Sequence, residues 1–178
     1  ADEAGIRSDY HSGTTWAVRG KTPAVKSTGA RFGCNMISAV SPTGEPRFMV
    51  TERRMSAALF CEFLDRLMVG EDGTVLLVVD GHPVHKAKKV TEHLEKYDGR
   101  LKMYTLPAYS PELNPDELVW NWVKSNKLGK DSDIKDKASL MKAARAALAS
   151  LQKCADTIKG FFDHPDLQYI KGKDFCTS

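Results

Sequence analysis

The chain has 178 residues, 42% hydrophobic and 8% aromatic, which is enough to bury one ordinary core in one domain and excludes a purely disordered chain. Lys and Arg number 26 against 23 Asp and Glu, and the formal charge of +3 permits a polyanionic partner without demanding one. The four cysteines, Cys34, Cys61, Cys154 and Cys176, form no C-x-x-C pair, so reduced and mostly buried thiols are expected rather than a zinc or redox site. No apolar run approaches the roughly 20 residues of a membrane span and no secretory signal opens the chain, which fits a cytoplasmic protein.

In chain order, "TTWAVRGKTP" and "ARFGCNMISAVSPTGEPRFMV" place β-branched and aromatic residues between Gly and Pro. They predict antiparallel strands with turns near Thr22-Pro23 and Pro42-Thr43-Gly44. "SAALFCEFLDRLMV" switches to helical spacing, with Ser56 as N-cap and Leu59, Phe60, Phe63, Leu64 and Leu67 on one face. "TVLLVVD" reads as a short strand buried on both sides.

"VHKAKKVTEHLEKYDG" predicts a helix ending near Gly99, "RLKMYTLP" a strand, and "NPDELVWNWVKSNKLG" a helix closed by Gly129. From about Ile134 an Ala- and Lys-rich helix leads into a packed tail, "GFFDHPDLQYI". This order predicts an α/β domain, a mixed sheet with helices on its faces, and sites in such sheets collect where strands end.

Asp80 stands at such an end. An Asp there is more often a turn former or cap than a catalyst. In "LPAYSPELNPDELVWNWVK", Asn114, Pro115, Asp116 and Glu117 fit the N-cap, N1, N2 and N3 of a helix, and Glu117 could be the far half of a capping box. Capping leaves unexplained the stiff, proline-rich lead that sets where this helix begins.

Together, "VVDGHPVHKAKKV" and "LPAYSPELNPDELVWNWVK" resemble the segments around the second and third catalytic acids of DDE transposases of the bacterial IS630 type, related to the Tc1/mariner elements. The resemblance implies a ribonuclease H-like fold with a five-stranded mixed sheet flanked by helices. It implies Asp2 of "ADEAG", Asp80 and Glu117 as the catalytic acids and metal ligands, with 36 residues between Asp80 and Glu117. Two Mg²⁺, or Mn²⁺ as substitute, are the implied cofactors, Asp2 bridging both, because hard cations that clamp the attacking and leaving oxygens take carboxylate ligands.

The implied reaction is cleavage at the ends of an element, followed by attack of the freed 3′-OH on target DNA, by family habit at TA. The implied partners are double-stranded DNA, as terminal inverted repeats and as target, and a second copy of the chain in a homodimer, in a bacterial cytoplasm on the nucleoid. Only Ala1 precedes Asp2, so residues 1–178 are expected to be a single catalytic domain without the family's helix-turn-helix region. A hydrolytic ribonuclease H-like nuclease and an inactive remnant that binds DNA or dimerises are the rival readings.

Helical geometry sets Lys124 about 20° and Asn121 about 40° from Glu117, where both could meet DNA phosphates, with Leu118, Val119, Trp122 and Val123 opposite. Trp120 should flank the acidic side and pack on the proline-rich loop. Lys86, Lys88 and Lys89 form a further basic patch, and Lys127 and Lys130 continue that of Lys124, although a solvated face is the ordinary use of such lysines. His85 matches a position where the family commonly has His and, with the capping Asn114, is assigned a supporting role; His82 is a poorer ligand for an oxygen-seeking ion.

Overall fold

The computed structural model describes residues 1–8, 19–20, 31–126 and 134–170. The expected strand over 14–23 with its turn, the Gly129 closure, Lys127, Lys130 and Cys176 lie outside these, apart from Arg19 and Gly20. Three antiparallel strands open the fold: β1 (Asp2–Arg7), β2 (Gly33–Val40) and β3 (Pro46–Thr51). In register, Asp2 faces Ser38, and Ile37 faces Met49. At the β2–β3 turn Gly44 has φ +92°, and a Cβ there would sit 2.7 Å from the Ala155 carbonyl oxygen, so glycine is required twice over.

Then follow α1 (Ala57–Leu67), β4 (Val75–Val79), a 3₁₀ turn at Pro83–Lys86, α2 (Lys88–Glu95) and β5 (Leu101–Thr105). The chain continues through α3 (Asp116–Asn126), α4 (Lys137–Gln152) and α5 (Ala155–Phe161). Ser56 caps α1 as the sequence suggests, its hydroxyl accepting from the Leu59 amide at 3.2 Å. The five predicted apolar residues of α1 are all buried.

Consecutive residues of β2 feed two cores because strand side chains alternate. Cys34 and Met36 pack with α3, α4 and α5; Ile37 and Ala39 pack with α1, β4 and β5. The closing segment is packed as expected, with Phe162 and Leu167 each 1% exposed. Cys34 and Cys61 are buried free thiols, and Cys154 is half-buried and free.

Three expectations are corrected. The strands form two sheets, β1-β2-β3 and a parallel β4-β5 pair, instead of one five-stranded sheet. Among the described residues no ladder pairs β1 with β4; just before β1 the Ala1 nitrogen donates to the Val78 oxygen at 2.5 Å. An apolar groove of about 230 Å³ opens beside that junction, between Val40 and Ser41 on one side and Leu76 and Val78 on the other. It leaves Leu76 64% exposed, so β4 is buried on one side only.

The predicted helix from Val84 to Gly99 is broken at Ala87, whose ψ of 137° is extended, giving a 3₁₀ turn and a short helix. Pro83 begins that turn and His85 is turned inward by it, and the side-chain contacts of His85 hold the break. Among the described residues no helix is long and apolar enough to cross a membrane.

Candidate active site

β1 carries Asp2 and Glu3 to opposite faces, as a period of two dictates. Asp2 faces α3: it is 8% exposed, and its Oδ2 accepts from the Trp120 indole Nε1–H at 2.8 Å. Burial, above all, pushes the Asp2 carboxyl up to about 6; the Trp120 hydrogen bond works against that, while neighbouring Asp116 and Glu117 add to it. Glu3 faces the other way, and its Oε1 lies 2.9 Å from His85 Nε2.

Asp80 follows the last residue of β4. Its Oδ1 accepts from the His82 backbone amide at 3.0 Å, the turn-forming bond that an Asp at a strand end commonly makes. The same oxygen lies 3.0 Å from His85 Nδ1. His85 is therefore clamped between two carboxylates, 1% exposed and tilted at 50° to the Phe60 ring, centroids 4.5 Å apart. Burial lowers its pKa, but the hydrogen bond and charge of Glu3 and the contact with Asp80 outweigh this and raise it. Nε2 bonds Glu3 Oε1 and Nδ1 bonds the Asp80 backbone oxygen at 3.3 Å, so both ring nitrogens have a partner.

Asn114 caps α3 through its Oδ1, which accepts from the Asp116 amide at 3.2 Å. The capping-box alternative for Glu117 is not realised: the Asn114 amide donates to the Pro111 carbonyl at 2.9 Å, leaving Glu117 exposed in the first turn of α3. Asp2, Asp80 and Glu117, from three separate elements, line one cleft of about 390 Å³, walled by Asn114 and the loop from Leu106 to Pro111.

The buried face of α3 is Asp116, Val119, Trp120 and Val123, while Trp122 is half-buried. Trp120 thus lies inside the core and reaches Asp2 instead of packing outside on the loop. Asp116 is fully buried and accepts from the Ser38 hydroxyl through Oδ1; its Oδ2 lies 3.3 Å from the Ala1 nitrogen without hydrogen-bond geometry. Burial raises its pKa, against the Ala1 charge and the Ser38 bond.

Glu3, Ser38 and Asp116 were not foreseen. A signal existed for Asp116, which shares the i, i+3, i+4, i+7 spacing of Val119, Trp120 and Val123. No signal existed for the His85–Glu3 contact, which joins residues 82 apart. Asn121 and Lys86 are exposed and Lys124 is half-buried, so all three lie at the surface, as a phosphate contact needs.

Glu3, Asp80 and His85 present ligand atoms within 4.8 Å of one another. The 2.9 Å between Glu3 Oε1 and His85 Nε2 is a hydrogen-bond spacing, and Asp80 Oδ1 lies 3.0 Å from His85 Nδ1.

No curated protein matches the chain. Solved chains do: the Mos1 mariner paired end complex with Mn superposes with TM-score 0.61 at 16% identity, covering 98% of this chain and 55% of that one. The catalytic domain of the Mos1 mariner transposase gives 0.56 at 13%, covering 80% and 76%. A pre-cleavage Mos1 transpososome gives 0.61 at 14%, covering 97% and 55%. The chain therefore spans about half the length of the transpososome chains it matches, and shares their fold. The DDE superfamily endonuclease description matches residues 1–141, four-fifths of the sequence and every acid of the cleft, and the chain belongs to that superfamily.

Proposed function

We propose that the chain is the catalytic core of a DNA transposase, a single domain over residues 1–178 in which Asp2, Asp80 and Glu117 hold two Mg²⁺, with Mn²⁺ as substitute. The observation that carries this is the meeting of three carboxylates from β1, the end of β4 and α3 in one cleft. The donor set fits such ions: every ligand is a carboxylate oxygen, and burial with Asp116 and Glu117 nearby pushes Asp2 up to about 6, a charge that a bound cation would relieve. Bound there, the ions would stabilise charge on the attacking and leaving oxygens of a phosphodiester.

The chain's own residues do the positioning. His85, braced by Glu3, orients Asp80. Asn114 sets the first turn of α3 and thereby the direction of Glu117. Lys124, Asn121 and Lys86 contact backbone phosphates of the DNA, which fixes its register without reading sequence. The reaction is cleavage at terminal inverted repeats and transfer of the 3′-OH strand into target DNA at TA, performed by a homodimer.

The test has two readouts. Mn²⁺ at about 100 times its dissociation constant should stabilise the chain by about 2.7 kcal/mol and should do so less for Asp80→Asn. With a duplex carrying a pre-cut 3′ end, joined product should form with the parent and not with Glu117→Gln. Cleavage without joining would support the hydrolytic nuclease instead, and equal Mn²⁺ stabilisation of parent and Asp80→Asn would remove the three-acid metal site.

A further inference from the structure

Trp120 is 2% exposed in the core formed with Val119, Val123 and α4, and a phenylalanine or leucine could fill that volume as well. What volume does not explain is the direction of the indole N–H. It ends 2.8 Å from Oδ2 of Asp2, a residue 118 positions away. Trp120 is also one helical turn beyond Glu117, about 60° around α3 and 4.5 Å along it. The helix that presents the third acid therefore grips the first acid too.

We propose that Trp120 is a positioning residue of the acid cleft, its indole N–H orienting the Asp2 carboxylate for metal binding and locking the placement of Asp2 to that of Glu117. This rests on the reading of Asp2, Asp80 and Glu117 as metal ligands. Indole suits the task for chemical reasons. It donates a single hydrogen bond, accepts none, does not ionise and cannot ligate a hard cation, so it holds a carboxylate without competing for the ion. A carboxylate oxygen that accepts this bond still has a lone pair to offer. Partners of this kind outside the ligand set orient the ligands and thereby tune metal affinity.

The experiment is a titration of Mn²⁺ into the full 178-residue chain, free Mn²⁺ being read by electron paramagnetic resonance. Trp120→Phe keeps the aromatic volume and removes the donor; it should weaken Mn²⁺ binding roughly 10- to 100-fold. Trp122→Phe, a change of the same kind on the same helix, should leave it unaltered. In an Asp2→Asn background, Trp120→Phe should cause no further loss.

Parental Mn²⁺ affinity in folded Trp120→Phe overturns the proposal. If Asp80→Asn also binds Mn²⁺ as the parent does, the metal-site reading itself falls; if Asp80→Asn is weakened while Trp120→Phe is not, only the role of Trp120 falls. Should Trp120→Phe not fold, the parent decides through the indole ¹⁵N–¹H resonance of Trp120. Movement on adding Mg²⁺, absent in Asp80→Asn, upholds the proposal, and a stationary resonance overturns it.

Discussion

Replacing Asp2 by Asn should stabilise the metal-free chain at neutral pH. Asp2 is buried beside Asp116 and Glu117, and its folded pKa rises from the ordinary 3.8 to about 6. The folded state thus holds a proton that the unfolded state has released, so stability falls as pH climbs from 3.8 to about 6 and stays low above. At about 1.36 kcal/mol per pH unit, the difference of about 2.2 amounts to about 3 kcal/mol at pH 7.5. Asn removes the charge while its carbonyl still accepts from Trp120, so most of that cost should be recovered. Urea unfolding with EDTA at pH 4 and pH 7.5 reads it: Asp2→Asn should lead the parent by up to about 3 kcal/mol at the higher pH and match it at the lower. Saturating Mn²⁺ should close the gap by stabilising the parent alone. An Asp2→Asn chain that is no more stable than the parent at pH 7.5 would show that burial does not strain this carboxylate.

Ser38→Ala removes the hydrogen-bond donor to the fully buried Asp116 and should cost about 1–3 kcal/mol, read as a lower urea midpoint at pH 7.5; an unchanged midpoint would mean that Asp116 is satisfied without it. Phe162→Ala opens a cavity where α5 closes over α4 and should cost about 3–5 kcal/mol by the same measurement, whereas a loss of under about 1 kcal/mol would show that the closing segment is not part of the cooperative core.

Much of the local structure was legible because its causes are local. Ser56 before an apolar stripe, Asn114-Pro115 before a run of acids, and Gly44 in a turn each act within a few residues, and all three behave as their types demand. Asp80 and Glu117 were singled out by motifs whose members are contiguous in sequence. The errors arose where a residue's surroundings come from elsewhere in the chain. A continuous apolar run in β4 suggested burial on both sides, yet whether Leu76 is covered depends on what lies against it in space, and there a groove does.

For the same reason the partners of the acids were invisible in the sequence. Trp120 and Asp2 are 118 residues apart, Ser38 and Asp116 are 78 apart, and His85 and Glu3 are 82 apart. The sequence by itself determined which residue types could do the proposed chemistry, where α1 and α3 begin, and the superfamily motifs. Only the tertiary structure decided that Asp2, Asp80 and Glu117 share a cleft, that Glu3 turns away from it to brace His85, and that Trp120 points inward. Alternation in β1 is local, but which of its faces meets α3, and the rotation of α3 against the sheet, are set by packing of both cores at once, and no window of a few residues contains that information.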